Sequence, residues 1–193
     1  MHREYLTHKE QRMVKMRFLP KKLFFTILPA LSLLFLCGCF MPAYRGTQDF
    51  DLDVEPVPCS GKVSVSYMRN ASSAGTRIQW RSYFDLTRDP YNVWALEPGA
   101  LVCCALNRAL CRDRVQPEIT LCGEIECFEA DLTNRVFRLS GFYRRTGTSE
   151  KIRFDITSPM RAHSVENIVL AASESVRKLA RRMADSENGN KRK

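Results

Sequence analysis

The sequence lacks most of the residue patterns that enzymes and metal-binding proteins use. Of its three histidines, only His163 lies beyond the first 38 residues, and no two cysteines have the C-x₂-C spacing of a structural zinc site. No glycine-rich phosphate-binding loop follows a predicted strand, and Ser140-Gly141 does not form a nucleophile elbow. We therefore predict a protein that is not an enzyme and that holds no metal or cofactor.

A surplus of one charge sign is also missing from most of the chain. The formal net charge is +9, but seven of the 30 Lys and Arg residues and two of the 21 Asp and Glu residues lie in the first 38 residues, which leaves about +4. Three of the remaining basic residues end the chain. Because a nucleic-acid-binding domain normally carries a basic face, the composition predicts no nucleic-acid partner.

The longest charge-free apolar run near the N-terminus is too short for a plain membrane span. Lys21 and Lys22 precede residues 23–36, which are 14 residues without a charge, whereas a spanning helix needs about 20. Pro29 in the middle of the run also disfavours a regular helix. A basic region followed by an apolar region and small residues is typical of a secretory signal. Because the uncharged stretch continues to Tyr44, a transmembrane anchor is the alternative interpretation.

The end of this run has the pattern of a lipobox, in which Leu, a small residue and Gly precede the cysteine that becomes acylated. Leu36, Gly38 and Cys39 fit the pattern, and Cys37 stands where Ala or Ser is usual. We predict that residues 1–38 are a type II signal peptide and that cleavage falls between Gly38 and Cys39. Acyl chains on Cys39 would then hold the protein on a membrane.

Two further features concern the start of the chain and its destination. Residues 1–12 are polar and long for a signal, so Met13 and Met16 are alternative start sites. Phe40 follows the lipidated cysteine, whereas Asp at this position often retains Gram-negative lipoproteins at the inner membrane. We therefore predict a lipid-anchored protein of the cell envelope, on the inner leaflet of the outer membrane and facing the periplasm.

Periodic hydrophobicity predicts one domain over residues 47–184, between a tether at 39–46 and a disordered basic tail at 185–193. Apolar residues at helical spacing predict two helices, the second with Ser164 as its N-cap. Alternation predicts strands, and Asp89 and Pro90 interrupt it. The expected fold is a single α/β domain with a mixed, partly antiparallel sheet of five to six strands, packed by two main helices. The predicted strands are 62–67, 77–85, 118–127, 136–144 and 151–156, with 50–54 as a candidate first strand, and the predicted helices are 99–110 and 165–184.

Six cysteines remain after the signal and the acylated residue are set aside. An even number in an oxidising compartment is compatible with disulfides, although spacing does not give their pairing, and buried free thiols are the alternative. Cys122 and Cys127 are five apart on one predicted strand, so they should face opposite sides of it. The six candidates are Cys59, Cys103, Cys104, Cys111, Cys122 and Cys127.

Aromatic residues precede the first predicted helix. Tyr91, Trp94 and Pro98 form a candidate partner interface, because aromatic residues are enriched in interface cores. The alternative is that they cover the open end of the hydrophobic core.

Two segments carry a family resemblance. Residues 91–98, which lead into the helix, and residues 123–131, a strand that ends in Phe128-Glu129-Ala130-Asp131, resemble the ABC-type transport auxiliary lipoproteins, the group that includes paraquat-inducible protein C. Together with the lipobox, the run of three strands and the terminal helix, the resemblance covers residues 47–184 in the order of elements.

The resemblance implies a non-enzymatic role. A member of this family works beside an MCE-domain lipid shuttle protein and its ABC transporter, docking to them or completing a lipid path, and a homo-oligomer is a further expectation. The surplus cysteines depart from the family's usual composition. The alternative is therefore a structural, cysteine-rich envelope lipoprotein that is cross-linked by disulfides.

Overall fold

The computed structural model of the protein describes residues 46–58, 63–110 and 117–189. The predicted fold class is confirmed, since this part of the chain is an α/β domain with a mixed, partly antiparallel sheet and two main helices. Its elements belong to one compact unit, Arg45–Lys193, and a second unit, Met1–Tyr44, lies outside the described residues. The elements are β1 (Gln48–Phe50), β2 (Val63–Asn70), β3 (Arg77–Ser82), β4 (Asp85–Trp94), α1 (Pro98–Leu110), β5 (Ile119–Asp131), β6 (Val136–Arg145), β7 (Ile152–Pro159) and α2 (Val165–Gly189).

The sheet is organised around β5, its longest strand. The strand order is β1-β4-β3-β5-β6-β7, and β2 also pairs with β5. Both β2 and β3 run parallel to β5: β2 pairs with the first half of β5, and β3 pairs only with Ala130 and Asp131. On its other side β5 begins the predicted antiparallel run with β6 and β7.

The strand β4 was missed by the sequence analysis. Asp89 and Pro90 break the alternation of apolar and polar residues, but the strand continues beyond them to Trp94. Along β3 the pairing passes from Gln79, opposite Arg88, to Arg77, opposite Val93, so β4 carries several extra residues at this point. Proline has no N–H to donate and is tolerated at such irregularities. After it, β4 pairs in parallel with β1.

Both helices pack against the sheet and against each other. α1 lies on β2 and β5, and α2 lies on β6 and β7. The helix-facing side chains of β6 and β7, among them Phe137, Leu139, Tyr143 and Phe154, are almost completely buried. Burial of each such side chain contributes about 1.5–3 kcal/mol, so this layer contributes substantially to stability.

The segment that follows β1 runs across both helices. Leu52, Val54 and Val57 are buried. The backbone N–H of Asp53 donates to Ser173 Oγ of α2 at 3.1 Å. The N–H of Val57 donates to a carbonyl near the end of α1 at 3.0 Å. The apolar stretch predicted as a strand at 50–54 is therefore mostly irregular backbone that covers the helices.

The last helix begins as predicted and ends later. Ser164 acts as the N-cap, because its Oγ accepts a hydrogen bond from the N–H of Asn167 at 3.3 Å and its carbonyl accepts one from Ile168 at 3.0 Å. The helix continues to Gly189. Residues 185–189, which we assigned to the disordered tail, are thus helical, and residues 190–193 lie outside the described residues.

Candidate functional site

The residues predicted for cleavage and lipidation, Gly38 and Cys39, lie outside the described residues. The described chain begins with Gly46 and Thr47, which are exposed, and then enters β1. In the part of the chain that the structure describes, neither helix combines the length and the apolar character that crossing a membrane requires.

The candidate partner interface does not form as predicted, because two of its three residues belong to the core. Trp94 is 2 % exposed, and its ring packs edge-on against that of Phe128 with 5.2 Å between the ring centroids. Its indole Nε1 has no hydrogen-bond partner among the described residues. Pro98, the first residue of α1, is also buried. The alternative interpretation, in which these residues cover the end of the core, is therefore the right one for Trp94 and Pro98.

Tyr91 remains on the surface, and a local turn places it there. The carboxylate of Asp89 accepts hydrogen bonds from the backbone N–H groups of Tyr91 and Asn92, both at 2.8 Å. Burial alone would raise the pKa of Asp89, but hydrogen bonds from Asn92 and Tyr91 lower it overall. Leu96, in the loop before α1, is exposed as well. Of the predicted interface, Tyr91 is thus the accessible residue, and Leu96 is an exposed residue that the prediction did not include.

A shallow depression lies on the surface beside β2 and the start of α1. The backbones of the two elements come close at Gly99, where a Cβ would overlap the carbonyl oxygen of Met68. Cys103 and Cys104 both line the depression, whose volume is about 480 Å³. Burial, and next the neighbouring Cys104, raises the pKa of the Cys103 thiol. The thiol of Cys103 is therefore a weak nucleophile, whereas Cys104 is exposed.

Cys122 and Cys127 lie on the same face of β5, and the sequence analysis was wrong on this point. One extra residue bulges out of β5 between Ile125 and Cys127, so Cys122 lies opposite Arg144 and Cys127 opposite Ser140. A bulge of this kind reverses the alternation. Arg144 and Ser140 are four residues apart along β6, which is about 13 Å. Cys122 and Cys127, which lie opposite them, are therefore too far apart for a disulfide.

The four described cysteines, Cys103, Cys104, Cys122 and Cys127, are free thiols, and Cys59 and Cys111 lie outside the described residues. Burial, and next the carboxylate of Glu129, raises the pKa of Cys127 to about 11. Cys122 is buried. Of the described thiols, Cys104 is therefore the one best placed to react.

The face of the sheet opposite the helices carries paired charges. Arg81 on β3 donates two hydrogen bonds to Glu129 on β5, at 2.8 and 3.2 Å. Arg69 on β2 is paired in the same way with Glu124. Such cross-strand pairs satisfy charges that would otherwise be costly to bury, and they hold β2 and β3 beside β5.

Among the described residues, His163 is the only histidine. His163 is exposed in the loop before α2, and Asp89 is used in its own turn. Over the described residues, no three His, Cys, Asp or Glu side chains are grouped so that they could hold a metal ion.

Sequence reasoning missed the aromatic tip of the β3–β4 hairpin. It placed residues 77–85 in one strand, but β3 ends at Ser82 and the chain turns at Tyr83 and Phe84. No glycine or asparagine marks this turn in the sequence, so no standard turn signal could have found it. In the part of the chain that the structure describes, six large hydrophobic residues are exposed: Tyr67, Tyr83, Phe84, Tyr91, Leu96 and Leu170.

Comparisons with known proteins identify the fold and no more. No protein-family model matches the sequence, and no curated protein matches it. A solved structure described as an uncharacterized protein is similar, with a TM-score of 0.58 and 12 % identity, over 73 % of this chain and 98 % of that one. The protein XCC0632 from Xanthomonas campestris, of the family DUF330, is similar with a TM-score of 0.57 and 11 % identity, over 76 % of this chain and 100 % of that one. This chain thus shares its α/β fold with two proteins whose chains it covers almost completely.

Proposed function

We propose that this chain is an envelope lipoprotein that serves as a non-enzymatic auxiliary component of an ABC transport system of the MCE type, and that it contributes to membrane lipid traffic. It is held by acyl chains on Cys39 and faces the periplasm from the outer membrane. Its partners are an MCE-domain lipid shuttle protein and the ABC transporter of that shuttle.

The observation that carries the proposal is the order of the N-terminal segment. A basic region, a charge-free apolar run and the sequence Leu36-Cys37-Gly38-Cys39 come directly before a short tether and a folded unit that starts at Arg45. Several acyl chains anchor a protein far better than one, since each buried CH₂ contributes roughly 0.8 kcal/mol.

The surface around Tyr91 supports a docking role. Tyr91 is 49 % exposed and lies beside the point where the described chain enters β1, and Leu96, which is 43 % exposed, follows the end of β4. Asp89 fixes the backbone of Tyr91, so this aromatic ring is presented without a large loss of conformational freedom on binding. We take Tyr91 and Leu96 as the face that contacts the shuttle protein.

The anchor is tested by replacing the acylated residue. Cells that express the parent chain or Cys39→Ser are labelled with radioactive palmitate and then fractionated. We expect label on the parent chain and none on Cys39→Ser, whose precursor also stays uncleaved. A Cys37→Ser variant is the matched control, and it should be labelled as the parent is. Equal labelling of parent and Cys39→Ser would overturn the proposal.

The partner is tested by co-purification from crosslinked membranes. We expect an MCE-domain protein to co-purify with the parent chain, and the yield to fall for the double variant Tyr91→Ala/Leu96→Ser. Leu170→Ser removes an exposed apolar residue from α2 and is the matched control. Absence of any MCE-domain protein from the parent sample would refute the transport role.

A second candidate function is that of a structural lipoprotein cross-linked through cysteines. The exposed thiol of Cys104 favours it. Under this function, non-reducing gels of membrane fractions show large oligomers that disappear on reduction and in Cys104→Ser. Cys122→Ser, which removes a buried thiol, should leave such oligomers unchanged.

A further inference from the structure

The β3–β4 hairpin ends in a tip of two exposed aromatic residues. Tyr83 and Phe84 are the two residues of the turn, since Ser82 pairs with Asp85. Phe84 is 95 % exposed and Tyr83 is 75 % exposed, the two highest values among the large hydrophobic residues that the structure describes. A ring that makes so few contacts adds almost nothing to the stability of the fold.

The choice of residues at this turn is unfavourable for folding. Tyr83 has a φ of 54°, in the left-handed region that side chains with a Cβ rarely adopt. Two-residue hairpin turns usually place Gly, Asn or Asp at such a position. Local choices that conflict with stability are expected at functional positions, so the two aromatic residues serve a purpose outside the fold.

The tip is held rigidly by the neighbouring turn between β5 and β6. The backbone N–H of Tyr83 donates to Thr133 Oγ1 at 2.8 Å. The N–H of Leu132 donates to the carbonyl oxygen of Arg81, also at 2.8 Å. The aromatic rings are therefore presented at a fixed place, and little backbone freedom is lost when they make a contact.

The strand β1 begins at its end nearer the tip. β4 runs away from the tip, and β1 is parallel to it, with Gln48 opposite Asn92. Gln48, the first residue of β1, is therefore the residue of this strand that lies nearest the tip. Phe84 and Asn92 are eight residues apart, at most about 26 Å. The nine residues from Cys39 to Gln48 can span up to about 30 Å, which is enough for both ends to reach one surface.

The charges near the tip suit a bilayer surface. Arg135 and Arg161 are both exposed, and they lie close together because the N–H of Met160 donates to the carbonyl oxygen of Arg135 at 2.8 Å. Asp85 is an exposed acidic residue directly beside the tip. Asp131 lies opposite Arg81 beside the tip, and Arg81 is paired with Glu129. Two arginines and two aspartates therefore balance, so the charge at this end does not oppose contact with a bilayer that contains some anionic lipid.

We propose that Tyr83 and Phe84 insert into the interface of the phospholipid bilayer that holds the acylated Cys39, and so fix the orientation of the domain on that membrane. The proposal rests on the proposed lipid anchor. Aromatic residues partition into the membrane interface, and the anchor raises the effective concentration of the tip at the surface, so a weak contact suffices.

The test uses the acylated protein, purified from membranes and reconstituted into vesicles of phosphatidylethanolamine and phosphatidylglycerol with brominated acyl chains. Phe84→Trp places a fluorescent reporter at the tip. Tyr67→Trp is the matched control, because Tyr67 is also exposed and pairs with Cys122, nine residues before the end of β5. Both variants keep the native Trp80 and Trp94, so these contribute equally.

We expect brominated lipid to quench the emission of Phe84→Trp clearly more than that of Tyr67→Trp. Equal quenching of the two variants, in protein that carries the palmitate label, would overturn the contact between tip and bilayer but not the lipid anchor. Protein that carries no palmitate label would overturn both proposals. Thermal unfolding of Tyr83→Gly/Phe84→Ser provides a second measurement. Its midpoint should not fall, since glycine accepts the positive φ, and a fall would show that the tip serves the fold.

Discussion

Replacement of Trp94 by alanine should destabilise the domain severely. This result is expected if Trp94 belongs to the core and not if it belongs to a partner interface. The side chain is 2 % exposed and packs edge-on against Phe128. Phe128 is itself edge-on to Phe137, with ring centroids 4.9 Å apart. Removal of the indole takes away the first ring of this row and leaves a cavity that the remaining rings cannot fill without moving.

The magnitude follows from the size of the side chain and its burial. Truncation of a buried Trp or Phe to Ala costs about 3–5 kcal/mol. For a domain of this length, 1 kcal/mol lowers the melting temperature by about 3–4 °C. The expected loss is therefore about 9–20 °C in melting temperature, and the lost free energy is a large share of the total stability of an ordinary domain.

Thermal unfolding followed by circular dichroism, with urea unfolding in parallel, measures the effect. Tyr91→Ala is the control on the same strand, and an exposed position of this kind should change stability by less than about 0.5 kcal/mol. Trp94→Phe keeps an aromatic ring beside Phe128 and removes the indole N–H, which has no hydrogen-bond partner among the described residues. Its cost should be clearly smaller than that of Trp94→Ala, because the cavity that it leaves is smaller. A melting temperature of Trp94→Ala equal to that of the parent would refute the assignment of Trp94 to the core.

Three further predictions concern other parts of the fold. Gly141→Ala should lower the free energy of unfolding by about 1–3 kcal/mol in urea, because the added Cβ overlaps the carbonyl oxygen of Glu124. At pH 8, mass spectrometry of alkylated peptides should show slow labelling of Cys127, whose pKa is raised to about 11, and fast labelling of exposed Cys104. Burial raises the pKa of Asp131, but hydrogen bonds from the following turn lower it overall. The stabilising contribution of Asp131 is therefore fully present above its pKa in the unfolded chain, about 4, and is lost as the pH falls through its lower pKa in the folded protein. Acid unfolding of Asp131→Asn should accordingly show a weaker dependence on pH than that of the parent.

Several features could be predicted from the sequence because they depend on local periodicity. The stripe of apolar residues in α2 and its cap at Ser164 specify a helix wherever an apolar surface is available. The alternation in β6 and β7 likewise specifies strands with one buried face. The predicted lipobox is likewise a local pattern, and it stays a prediction because Gly38 and Cys39 lie outside the described residues.

Other features were decided only by contacts between distant parts of the chain. β4 exists because its two ends find partners in β3 and β1 across Asp89 and Pro90, which by themselves argue against a strand. The bulge in β5 places Cys122 and Cys127 on one face, against their spacing. Trp94 is buried because Phe128 lies beneath it, although the two are far apart in sequence.

The tip at Tyr83 and Phe84 shows the same division most clearly. The sequence around them alternates as a strand does. The turn is visible only in the structure, from the pairing of Ser82 with Asp85 and the hydrogen bond from Tyr83 to Thr133. The sequence thus determined which segments are amphipathic, and the predicted export signal rests on it alone. The tertiary structure decided which aromatic residues are buried and which face outward, because burial depends on the neighbours that the whole fold supplies.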